Sequence, residues 1–273
     1  MEESIGLISA PPKANWKDYL ALCKPKVVLL MLLTVFVGAF IATPAWPDLM
    51  KLNLALLGIG ACAASGAAIN HMIDHRLDAK MARTKHRPIP QGLVTPLQGL
   101  MFALILASLG LSLLWYRVNP TTAWLTLSSL IGYAVIYTLF LKRATPQNIT
   151  IGGLAGAMPP LLGWTAMTGQ IEPNALLLVL IIFAWTPPHF WALALHRKDE
   201  YKQANIPMLP VTHGEHYTRV HIGLYSLLLF AATLMPFVSG MCGLVYLTGV
   251  LLLNSRQLWM VKQLFKTTDT QAP

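Results

Sequence analysis

GIGACAASGAAINHMIDHRLDAKMARTKHRPIP, residues 58–90, is where an apolar run of small side chains turns into a charged segment. Up to Asn70 the run is mostly Gly, Ala, Ser and Cys, the residue sizes that let membrane helices approach closely. In the charged part, Asn70, Asp74 and Asp78 recur at every fourth position. On a helix that spacing keeps all three on one face, with a drift of about 40° per step. Two carboxylates at i and i+4 repel one another unless a cation lies between them. Hard oxygen ligands suit magnesium, which takes one or two protein carboxylates and leaves its other positions to phosphate oxygens and water. Lys80, Arg83, Lys85 and Arg87 follow and are suited to hold those phosphates. The plainer alternative is a solvated basic loop between two membrane helices.

Outward from this stretch, the 273-residue chain is 55% hydrophobic and only 11% charged, where soluble domains average about 25% charged. Segments 27–47, 52–73, 88–116, 118–141, 144–171, 173–196 and 220–255 contain no Asp, Glu, Lys or Arg. Each matches or exceeds the ~20 residues that cross a bilayer. The expected fold is therefore all-α: one polytopic helical bundle over residues 1–273, with a cavity open to the cytoplasmic side. Eight spans are expected at about 25–43, 52–70, 98–116, 121–140, 148–168, 173–195, 218–237 and 240–257, with motif loops at 71–97 and 196–217. With that division only Lys51 and Arg117 fall on the side opposite all other Lys and Arg. The positive-inside rule then puts both termini in the cytoplasm. The formal charge of +9 is spread over these loops, so no nucleic-acid partner is expected.

Glu2, Glu3 and Asp18 precede the first apolar run, which argues against a cleavable signal. Trp16 and Tyr19 are expected at interface depth. Lys24 and Lys26 bracket Pro25 at the first span, where anionic lipid is the favoured partner and a substrate phosphate the sharper one. Cys23, Cys62 and Cys242 form no CxxC pair and read as packing residues. Pro159-Pro160 and Pro187-Pro188 are expected to break the fifth and sixth spans in mid-run. A cytoplasmic cavity with carboxylates and cations suits a diphosphate-bearing lipid, whose leaving group a metal and cations would neutralise. Aromatic faces would stabilise the allylic cation, and Tyr133, Tyr137, Trp164, Trp185, Phe190 and Trp191 are candidates beside their plainer role in packing.

NxxxDxxxD followed by RTKxRP resembles the UbiA-type intramembrane prenyltransferases. LxKPK at Leu22–Lys26, YTLFLKRATPQNITIGGLAGAMPPLLGW at 137–164 and WTPPHFWALALHRKDEYKQANIPMLPV at 185–211 resemble the heme-farnesylating branch of that family. The resemblance covers about residues 20–215. It implies transfer of farnesyl from farnesyl diphosphate to a vinyl group of heme B, giving heme O and diphosphate for heme-copper terminal oxidases. It also implies magnesium–diphosphate at Asn70, Asp74 and Asp78, phosphate contacts from Arg83, Lys85, Lys142 and Arg143, and a second acidic cluster at Asp199, Glu200 and Tyr201. That cluster departs from the DxxxD of the aromatic prenyltransferases. His189 and His196, seven apart, are the leading heme contacts, ahead of His71, His75, His213, His216 and His221. A bacterial inner membrane is the expected location, with membrane lipid and a downstream heme A synthase or terminal oxidase as further partners. The resemblance also leads one to expect a ninth span after residues 256–265. The alternatives are an aromatic or quinone-precursor acceptor and, in another class, a heme or lipid carrier or transporter. Every Asp, Glu, Lys and Arg stands at or beyond a span end, which favours interfacial catalysis over transport.

Overall fold

The computed structural model describes residues 14–204 and 206–269, leaving out the side chains of Arg143 and of residues 267–269. Every regular element among them is helical. Helix α1 (Trp16–Leu22) opens on a capping box in which Asn15 and Asp18 each accept from the other's amide. Then come α2 (Pro25–Ile41), α3 (Leu49–Asp78), α4 (Pro96–Arg117) and α5 (Pro120–Ile131), which continues as a π-helix over Gly132–Leu141. A single turn α6 (Lys142–Ala144) leads to α7 (Asn148–Ala157), α8 (Pro159–Thr168) and α9 (Pro173–His196). Two short helices, α10 (Lys198–Gln203) and α11 (Leu209–Thr212), precede α12 (Gly214–Val238) and α13 (Leu244–Asp269).

Six of these helical stretches are long and apolar enough to cross a membrane: α3, α4, α5 with its π extension, α9, α12 and α13. The bent pair α1–α2 makes a seventh if it is one span. The span expected at 148–168 is instead two ten-residue helices, α7 and α8. Leu29, Leu33, Leu104, Leu109, Leu228 and Leu252 face outward, more than two-fifths exposed. In water such a surface would aggregate; in lipid it is the ordinary outside of a bundle. The chain is an integral membrane protein.

Apolar side chains gain little from leaving lipid for one another, so these helices hold by close packing. A Cβ at Gly110 of α4 would lie 2.7 Å from the Gly58 carbonyl oxygen and 2.8 Å from Cys62 Sγ of α3. Gly38 of α2 and Gly163 of α8 likewise sit against the carbonyls of Pro160 and Val35. Val35, Ala55, Ile59, Leu114, Ala123, Leu162 and Ala166, from α2, α3, α4, α5 and α8, fill the centre of this packing.

The prolines do two different things. Pro159 and Pro160 take the first turn of α8, where no amide is needed, and so end α7. Pro187 and Pro188 do not break α9, which runs from Pro173 to His196 through them. This corrects the expected mid-run break. Both are buried, and the hydroxyl of Thr186 donates to the Ile182 carbonyl at 2.7 Å. Protein cover of this kind is what lets proline remain inside a membrane helix.

At 1.5 Å per residue the thirty-residue α3 is about 45 Å long, against a hydrocarbon core of ~30 Å. Its start is fixed on the far side, where Lys51 Nζ donates to the Met167 carbonyl at 3.2 Å. Its last turns, carrying Asn70 to Asp78, therefore emerge at the opposite interface. There Leu22, Ala68, Ile89, Val94 and Ala103 pack α1, α3, α4 and the segment after the motif together.

Candidate active site

Asn70, Asp74 and Asp78 lie along one face of α3 and are 5%, 2% and 5% exposed. Three cations from three other segments converge on them. Lys24 Nζ donates to Asn70 Oδ1 at 2.8 Å, Lys142 Nζ lies 2.6 Å from Asp74 Oδ2 and Arg87 donates to Asp78 Oδ2 at 2.6 Å. Asn70 Nδ2 closes the row by donating to Asp74 Oδ2 at 2.9 Å. Three cations around two carboxylates leave the cluster positive, which suits an anionic ligand.

Each cation owes its place to local backbone. Lys24 precedes Pro25 and adopts φ 49°, ψ 60°, the one non-glycine with positive φ among the described residues. That left-handed turn costs of order 1 kcal/mol and redirects the chain between α1 and α2. Burial, then the nearby Arg87, pushes the Lys24 ammonium down to about 8. Arg87 returns to Asp78 because successive tight turns fold the segment back, with Thr84 Oγ1 donating to the Asp78 carbonyl at 2.9 Å. Lys142 stands at the end of the π-helix, where Thr138 Oγ1 donates five residues back to the Tyr133 carbonyl at 2.8 Å. π-helical turns within α-helices are frequent at functional sites. Here the turn aims Thr138 as well as Lys142 at α3, Thr138 Oγ1 lying 3.4 Å from Asn70 Nδ2.

The π-helix also presents two stacked rings, Tyr133 and Tyr137, with centroids 5.9 Å apart and planes 14° from parallel. Gly152 of α7 lies directly against the Tyr137 ring, and Gly66 of α3 against Tyr133. The other aromatic candidates lie elsewhere. Trp164 and Trp191 are buried in separate packing clusters, while Trp185 and Phe190 are exposed on α9.

One carboxylate oxygen, Asp74 Oδ1, is buried with no hydrogen-bond partner. An uncompensated buried carboxylate oxygen is costly. The Asn70, Asp74 and Asp78 oxygens, lying on one face beside it, fit a hard cation such as magnesium. No group of three or more His, Cys, Asp or Glu forms a metal site among the described residues; this oxygen face includes an asparagine in its place.

The remaining sequence candidates fall into two groups. Arg83 and Lys85 are exposed on the segment after α3, and the side chain of Arg143 lies outside the described residues. Asp199 and Glu200 are exposed on α10, whereas Tyr201 packs against the cluster of Ile149, Ala204, Ile206 and Met208, which Met81 of the first motif loop also joins. His189 is exposed on α9 and stacks on Trp185 at 4.3 Å, and His196 is exposed two turns later. Because α9 is unbroken, those two histidines share a face. His75 Nδ1 meets the Met72 carbonyl, His213 stacks on Tyr217, and His221 meets the same ring at a tilt of 33°. His71 is buried beside the cluster.

Two residues hold places that their charge alone does not indicate. Lys24, whose favoured partner by sequence is anionic lipid, is held inward by Asn70, and of the pair only Lys26 is exposed. Arg87, not its neighbours Arg83 and Lys85, makes the ion pair to the motif. The signal for Arg87 was the Pro88 that follows it; a buried turn there brings the chain back under α3.

The model of the UbiA prenyltransferase family matches residues 31–273. A curated relative, the protoheme IX farnesyltransferase of Hahella chejuensis, is 61% identical over 248 residues, covering 91% of this chain and 83% of its own. Among solved structures, a digeranylgeranylglyceryl phosphate synthase superposes with TM-score 0.78 at 20% identity, covering 92% of this chain and 87% of its own. A UbiA homolog from Archaeoglobus fulgidus bound to DMAPP and Mg2+ superposes with TM-score 0.67 at 16% identity, covering 93% and 88%.

Proposed function

The chain belongs to the UbiA prenyltransferase family, and from that premise we propose that it farnesylates heme B. Farnesyl diphosphate gives up its allylic C1–O bond, whose electron pair leaves with diphosphate, and C1 bonds to a vinyl carbon of the heme. Water adds to the carbon left positive and loses one proton to solvent, which leaves the hydroxyl of heme O. The observation that carries this reading is the buried, net-positive cluster of Lys24, Arg87 and Lys142 around Asn70, Asp74 and Asp78.

Asn70, Asp74 and Asp78 would hold magnesium, whose chemistry when bound is to neutralise charge on diphosphate oxygens. Lys24, Arg87 and Lys142 bind and orient the diphosphate, and their fixed charges favour the negative charge that grows as it leaves. Arg83 and Lys85 extend those contacts from the surface, and Arg143 is a further phosphate contact. Tyr133 and Tyr137 offer their ring faces to the allylic cation. Asp199 and Glu200, beside Tyr201, whose ring packs against the same cluster as Met81, close the diphosphate side. His189 and His196 contact the heme from their shared face of α9. The site opens to the cytoplasm of a bacterial inner membrane, with both termini on that side, and heme O passes to a heme A synthase or a terminal oxidase.

The test is purified protein given heme B, farnesyl diphosphate and magnesium, with pigments read by mass spectrometry beside Asp74→Asn combined with Asp78→Asn. Magnesium-dependent heme O that disappears in the double variant is the expected result. Heme bound but never farnesylated, or prenylation of a hydroxybenzoate alone, would overturn the assignment.

A further inference from the structure

His71 is 3% exposed, and both of its ring nitrogens are buried without a hydrogen-bond partner. It precedes Asp78 by seven residues, a spacing that returns to the same helical stripe within ~20°. It therefore belongs to the face of α3 that carries the carboxylates. Lys24, bonded to Asn70, and Arg87, bonded to Asp78, bring two cations to that face. A buried imidazole with neither nitrogen paired carries a desolvation cost that nothing in the packing offsets.

We propose that His71 is a substrate-binding residue, donating a ring N–H to an anionic oxygen of the prenyl diphosphate as it lies between Lys24 and Arg87. The assignment rests on the prenyltransferase reading above. Imidazole carries at least one N–H in either protonation state, so the contact needs no titration. Magnesium prefers oxygen, which makes the imidazole a phosphate donor rather than a further metal ligand. A heme propionate is the other anion that could reach an N–H of this kind, and the experiment separates the two.

Binding of farnesyl diphosphate and of inorganic diphosphate, each with magnesium, is measured by calorimetry on the full chain in detergent, alongside heme binding. In His71→Phe both diphosphate dissociation constants rise about tenfold, the scale of a lost hydrogen bond to a charged group. Heme affinity stays unchanged, and His71→Gln, which keeps an N–H, regains most of the loss. His71→Met serves as the donor-free variant if the phenylalanine does not fold. Unchanged diphosphate affinity in a folded donor-free variant overturns the proposal and leaves His71 a packing residue. Weakened heme binding with intact diphosphate binding overturns it in favour of a propionate contact. If wild-type protein binds diphosphate but forms no heme O, the farnesyltransfer reading fails while the His71 comparison still decides its own question.

Discussion

Lys142 Nζ lies 2.6 Å from Asp74 Oδ2, with the side chains 18% and 3% exposed, and so joins the end of the π-helix to the middle of the motif. Removing one partner of such a pair leaves the other charge buried and alone, at a cost of about 3–5 kcal/mol. Lys142→Met is therefore expected to lower both melting temperature and kcat/KM for farnesyl diphosphate, the latter by about 100-fold or more. Lys142→Arg, which keeps the charge, recovers most of the stability. Kinetics beside a detergent melting curve check this, and a methionine variant with wild-type kcat/KM would remove Lys142 from the site.

Arg87 and its neighbours Arg83 and Lys85 are alike in charge but not in position. Arg87 bonds to buried Asp78, while the other two are exposed. Arg87→Gln is expected to weaken farnesyl diphosphate binding by at least about tenfold and to destabilise the motif end. Arg83→Gln and Lys85→Gln should each weaken it by less than about fivefold, as exposed charges do. Added salt should erode the effects of Arg83 and Lys85 more than that of Arg87, because exposed charges are screened first. Titrating farnesyl diphosphate at two ionic strengths compares all three.

The membrane class and the carboxylate face were legible because each rests on a local rule: apolar length or the four-residue repeat. What escaped depends on backbone turns that no period encodes. The left-handed Lys24 and the turns from Ala79 to Pro90 decide which cations face inward, and both are set by how α1, α3 and α4 meet around Leu22, Ile89 and Val94. The two proline pairs are the same dipeptide with opposite outcomes. One pair falls where a new helix can start, and the other is enclosed by neighbours beside Gly153 and Thr186.

The crossing of α3 and α4 offers a test of packing apart from chemistry. At Gly110 an added methyl would meet the Gly58 carbonyl and Cys62 Sγ, neither of them a flexible chain end. Gly110→Ala is expected to destabilise by about 1–3 kcal/mol. The effect should appear as a lower melting temperature in detergent, with the KM for farnesyl diphosphate unchanged in the folded fraction. A variant that melts like wild type would show that the two helices can separate without cost.

His189 and His196 stand on one face of the continuous α9, with Trp185 stacked on His189 at 4.3 Å. If they contact heme, His189→Ala should raise the heme KM about tenfold and shift the absorption band of bound heme, because histidine is a common axial ligand. Farnesyl diphosphate affinity should not move. An unchanged spectrum in both His189→Ala and His196→Ala would take the heme away from this face.

Magnesium dependence ties the oxygen face to the reaction. Asp74 Oδ1 is buried and unpartnered, and Asn70 and Asp78 lie a turn to either side of it. Chelation by EDTA is expected to abolish heme O formation, and readdition of magnesium to restore it. Calcium should restore little, since it prefers six to eight ligands at longer distances of about 2.3–2.6 Å. In Asp78→Asn one charge is lost from the face, so the magnesium concentration for half-maximal activity should rise at least about tenfold. Lys51→Gln, at the far end of the bundle, should leave it unchanged. Full turnover in EDTA would separate the carboxylates from any metal and leave Lys24, Arg87 and Lys142 as the whole of the diphosphate site.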